Sequence, residues 1–151
     1  MRFVASSIVL STLVLGLSCV PAFAIDERID QQTMAALMVK AEQAAPKEQC
    51  FLYAELVHQM TELAGQQYNS GDGDHASETL RLVQKYAEKI HMGVAQDGKK
   101  LKNAEELMRH TSFRLNGILN AASYEDRQAL QATLKQLEQV QTELMMQVFK
   151  K

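Results

Sequence analysis

The stretch LRLVQKYAEKIHMGVAQDGKKLKNAEELMRHTSFRLNGI, Leu80 to Ile118, decides how this chain folds. Its apolar positions recur at helical spacing: Leu80, Val83, Ala87, Ile90 and Val94, then Leu101, Ala104, Met108, Thr111, Leu115 and Ile118. Such spacing puts them on one stripe of a helix and holds a single heptad phase throughout, as in a coiled coil. Asp97-Gly98, in the middle, reads as a helix C-terminus. Two considerations oppose a break. A loop usually shifts the phase, and an interior glycine costs only about 1 kcal/mol, against about 1.5–3 kcal/mol for each large apolar side chain buried. The expectation is therefore one long central helix, about residues 74–121, bent at Gly98. At 1.5 Å per residue it would span about 70 Å.

On either side the chain offers helices to pack against it. Upstream, Cys50, Tyr53, Ala54, Leu56, Val57, Met60, Leu63 and Ala64 form a broad stripe, opened by Pro46 at a first-turn position and ending before Asn69. Before it, about Asp26 to Ala45, the positions Ile29, Met34, Leu37, Met38 and Ala41 give a looser apolar face. Downstream, Ser123 with Asp126 resembles a capping box. It opens a helix striped by Leu130, Leu134, Leu137, Val140, Leu144 and Val148. No alternating strand pattern occurs, and good helix formers dominate. The fold class is all-α: an antiparallel bundle of about four helices, the long central one carrying two helical hairpins. A faint internal similarity supports the two hairpins, His58-x4-Leu63-x-Gly65 recurring as His110-x4-Leu115-x-Gly117.

The N-terminus reads as a cleaved leader. Arg2 is followed by the apolar stretch Val4–Val20, then Pro21 and the small-residue motif Ala22-Phe23-Ala24. Residues 1–24 are expected to be a signal peptide, and 25–151 a single domain exported to a periplasmic or extracellular location. Processing before Cys19 would instead lipidate that cysteine and tie the protein to a membrane. The leader takes Arg2 with it, which moves the formal net charge from −2 to near −3. That balance excludes an electrostatic case for nucleic acid. Only Cys50 then remains, so no internal disulfide framework is available. It reads as a small buried hydrophobe, or alternatively as the site of an intermolecular disulfide.

Between two helices lies NSGDGDHAS, Asn69 to Ser77. As an EF-hand loop it fails: starting at Asp72 puts Ser77 where glycine belongs and Val83 where the bidentate glutamate belongs. A transition-metal site could draw on His75 with Asp72, Asp74 or Glu78, and further along on His91 and Met92. A turn and cap needs less: Gly71 and Gly73 supply the left-handed backbone of a reversal, and Asp74 or Asp72 caps the next helix. Leu63, Ala64, Tyr68, Gly71, Asp72, Ala76 and Leu80 here resemble part of a tetratricopeptide repeat, with Met60 departing from its aromatic position. The resemblance implies a tight helical hairpin.

Catalytic signatures are missing: no nucleophile elbow, no phosphate-cradling glycine loop, no paired-histidine zinc motif and no C-x-x-C-H haem attachment. The chain is expected to be no enzyme and to need no cofactor. It is expected to act through its surfaces on a protein partner or as a homodimer. The segment SYEDRQ, Ser123 to Gln128, is similar in character to the LTxxQ segments of the Spy and CpxP family, which implies a periplasmic stress- or metal-responsive adaptor or chaperone as the alternative. A metal- or haem-binding bundle is the third reading.

Overall fold

The computed structural model describes the backbone of residues 23–93 and 98–150, and the side chains within 32–90 and 100–150. The expected leader up to residue 22, with Cys19, lies outside the described residues. So do residues 94–97 and the side chains of His91 and Met92. Among the described residues there are helices and no strand: α1 (Phe23–Gln43), α2 (Pro46–Asn69), α3 (Gly73–Gly93), α4 (Gly98–Ala121) and α5 (Arg127–Phe149). None is long and apolar enough to cross a membrane.

Each helix is amphipathic and buries the stripe its sequence announces. Met34, Leu37 and Ala41 of α1 are buried, as are Leu56, Val57, Met60 and Ala64 of α2. In α3 the buried set is Leu80, Val83, Ala87 and Ile90, and in α5 it is Leu130, Leu137, Val140 and Leu144. Three buried threonine hydroxyls are satisfied within their own helices. Thr61, Thr111 and Thr133 each donate to the carbonyl four residues back at 2.8 Å, so they add no orphaned polar group to the core.

The single long helix over 74–121 is not formed. Among the described residues α3 and α4 share no close contact, whereas α4 lies along α2. Lys100 Nζ meets Glu48 Oε1 at 2.6 Å, His58 Nδ1 lies 3.0 Å from Thr111 Oγ1, and Arg114 Nε donates to Glu62 at 3.0 Å. These pairs run in the same direction along both helices, so α4 is parallel to α2, and the chain reverses between Gly93 and Gly98. The two halves of the stripe therefore belong to two helices, Gly98 being the first residue of α4. The physical reason lies in α2. Its stripe is too broad for one partner: besides the main row it buries Leu52, Ala54 and Gly65. Folding α4 back onto α2 covers part of that surface, with Gly65 lying against Ile118, and so adds apolar burial along α2.

The result is an up-down-up-down four-helix bundle with α2, α3, α5 and α4 around one axis. α2–α3 and α4–α5 are the two expected hairpins, but they stack side by side rather than end to end. Across the α3–α5 seam, Gln84 Nε2 donates to Thr133 Oγ1 at 2.8 Å, and Gln136 Nε2 to the Gln84 carbonyl at 3.0 Å. α1 is a fifth helix that packs on α2. Its end is fastened where Lys89 of α3 sits 3.4 Å from Glu42 and 5.1 and 5.0 Å from the ring centres of Tyr53 and Tyr86.

The two hairpins repeat in their burial. Cys50, Tyr53, Val57, Met60, Thr61 and Ala64 of α2 are answered by Leu101, Ala104, Met108, Thr111, Ser112 and Leu115 of α4, each 51 positions on. The recurrence of His58, Leu63 and Gly65 at His110, Leu115 and Gly117 is out of that register by one residue. Its members accordingly differ in role. His58 is half-buried and His110 exposed, and Gly65 lies against Ile118 while Gly117 faces open space.

Candidate functional site

The Asn69–Ser77 segment resolves into a turn and a cap. Gly71 has φ +81°, its N–H donates to the Tyr68 carbonyl at 3.1 Å, and the Asp72 N–H donates to the Gln67 carbonyl at 2.9 Å. This is the Schellman closure of α2, and it needs glycine at the left-handed position. Asp72, not Asp74, caps α3: its carboxylate accepts from the His75 N–H at 3.4 Å, and its carbonyl accepts from the Ala76 N–H at 3.1 Å. Asp74 is already inside the first turn, where its charge suits the helix dipole. Gly73 has no left-handed backbone and opens α3 as an ordinary helical residue.

His75 Nδ1 lies 2.8 Å from both Asp72 oxygens, and the hydrogen bond and charge of that carboxylate raise the imidazole pKa. Asp74 and Glu78 add only weaker field, and no group of three or more metal-ligating side chains occurs among the described residues. Cys50 is 3% exposed and packs as a small hydrophobe, its thiol pushed up to about 11 by burial. An intermolecular disulfide there would require α2 to open. Met60 and Met108 are core residues, whereas Met145 and Met146 of α5 are exposed, at 43% and 55%.

The feature that sequence reasoning missed is a groove. α1 and α4 both lie against α2, and among the described residues they make no close backbone approach to each other. Between them α2 exposes one helical face, Phe51, Glu55, His58, Gln59 and Glu62, all half-buried. Three adjoining depressions follow this face. The lowest is bounded by Lys40 of α1 and by Lys100 and Asn103 of α4. In the middle, Phe51, Glu55 and His58 face Glu106, Leu107 and His110 of α4. The upper one is walled by Thr33 and Met34 of α1 and floored by His58, Glu62 and Leu63. His58 and Gln59 line both the middle and the upper depressions, and Phe51, Glu55 and Asn103 line both the lower and the middle, so the three adjoin along α2.

Charges along the groove are unevenly matched. Glu48 pairs with Lys100, whose hydrogen bond and charge hold its carboxyl below the usual range. Glu62 pairs with Arg114, and Glu106 lies 3.9 Å from Arg109. Glu55 has no cationic partner among the described residues. His58 is held in one tautomer. Thr111 donates its only hydroxyl proton to the Leu107 carbonyl, so it must receive one from His58 Nδ1. In the neutral ring Nε2 then keeps its lone pair. The arrangement provides an apolar floor, hydrogen-bond acceptors and a polar rim.

No protein-family model, curated protein or solved structure matches the chain.

Proposed function

We propose that this chain is an exported, non-catalytic helical protein that binds a segment of another protein along the groove over α2. One observation carries the reading: α1 and α4 flank α2 without meeting, which leaves a helix-lined trough with Phe51, Leu63 and Leu107 along it. Helix-in-groove recognition uses such a trough, with apolar anchors at helical spacing and polar contacts at the edges. The export half of the reading rests on the Arg2, Val4–Val20 and Ala22-Phe23-Ala24 pattern.

The test uses the full chain expressed with its leader and recovered from the exported fraction, where its mass should begin at Ile25. A fluorescein-labelled amphipathic helical peptide with leucines on one face should bind saturably, as read by anisotropy. Gln59→Trp, which fills the ridge shared by two depressions, should abolish the signal, whereas Leu82→Trp on α3 should not. Equal binding by both variants, or stoichiometric metal or a haem band on the purified protein, would sink the reading.

A further inference from the structure

We infer that the segment held in this groove carries a basic side chain, lysine or arginine, seated against Glu55. The inference rests on the groove reading above and specifies its partner. Of the four carboxylates along the α2–α4 side, Glu48, Glu62 and Glu106 each have a cation of this chain within 4.0 Å. Glu55 is half-buried and has neither ion pair nor hydrogen bond among the described residues. Lys40 lines the lower depression with it but makes no ion pair to it. The middle depression, where Glu55 faces Glu106, is lined by no lysine or arginine among the described residues.

A partly desolvated carboxylate without a partner is a standing cost that an incoming cation removes by a charge-assisted hydrogen bond. The surroundings suit a donor-rich group. His58 offers the lone pair of Nε2, Gln59 and Asn103 offer amide oxygens, and Phe51 and Leu107 can receive the methylene stem of the side chain. In the middle depression an acidic residue would meet two carboxylates and, among the described lining residues, no lysine or arginine.

The experiment compares three amphipathic peptides that differ only in one residue beside the leucine face: lysine, glutamine or glutamate. Binding to the full protein is measured by anisotropy at low and at physiological salt. The lysine peptide should bind about tenfold more tightly than the glutamine peptide, and the glutamate peptide more weakly than both. Glu55→Gln should erase the lysine preference and leave the glutamine peptide's affinity as it was, while Glu62→Gln should leave the preference intact. Equal affinity for the three peptides, or a preference that survives Glu55→Gln, would overturn the inference but spare the groove. Failure of every peptide to bind would overturn both.

Discussion

Gly71 and Gly73 stand two positions apart in one turn and answer to opposite constraints. Gly71 is left-handed, so Gly71→Ala should destabilise the protein by about 1–2 kcal/mol. Gly73 is helical, with nothing within 4 Å of an added Cβ, so Gly73→Ala should stabilise by about 0.4–1 kcal/mol. Urea unfolding of the two variants checks this, and shifts of the same sign would contradict it. The neighbouring His75–Asp72 pair predicts a titration. Because His75's folded pKa is raised, its contribution is present in full below the ordinary histidine value of 6.5 and is lost as pH rises through the folded value. The His75 midpoint, followed by NMR, should sit above 6.5 and fall back in Asp72→Asn. An unchanged midpoint would remove Asp72 as its cause. At Cys50 the burial and raised pKa predict no reaction with a thiol reagent at pH 8 until the protein unfolds; rapid modification of the native protein would contradict that packing. The sequence reading placed the turn and the left-handed Gly71, but it gave Gly73 the same backbone and left the cap between Asp74 and Asp72. Both aspartates suit a helix start, and only backbone geometry separates the capping residue from one two positions inside.

At the scale of the elements, helix existence and the buried faces were legible because they depend on local spacing. Pro46 at the start of α2, the stripe of α3 and that of α5 are all where periodicity puts them. Continuity was not legible. Leu80–Ile90 and Leu101–Leu115 keep one heptad phase because each helix turns its own seam toward a common axis, not because one helix carries both. The signal pointing the other way was the breadth of the α2 stripe, which asks for more than one neighbour. Spin labels at Glu62→Cys and Arg114→Cys discriminate the two arrangements. The side-by-side bundle, in which the native side chains meet at 3.0 Å, predicts a label separation below about 20 Å. One continuous helix, with position 62 packed near its start, would separate them by about 50 Å. A dominant long distance would contradict the reversal between α3 and α4.

For the whole molecule, α2 and α4 share one burial register, and α1 is added to one side of α2. That addition makes the groove, and it explains why the site escaped sequence reasoning. Phe51, Glu55, His58 and Glu62 share a helical face, and on a lone helix such a mixed face looks like ordinary surface. Only the flanking of that face by α1 and α4, which are distant in sequence, turns it into a trough. The residues that attracted attention in the sequence, Asp72, Asp74, His75 and Glu78, lie at the α2–α3 turn and serve its closure. The most direct test of the account is to map a bound amphipathic, lysine-bearing peptide on the protein by NMR chemical-shift changes. The account predicts changes concentrated at Phe51, Glu55, His58, Asn103 and Leu107. Changes concentrated instead at Phe113, which is 81% exposed, or at Met145–Phe149, would place binding on another face and contradict it.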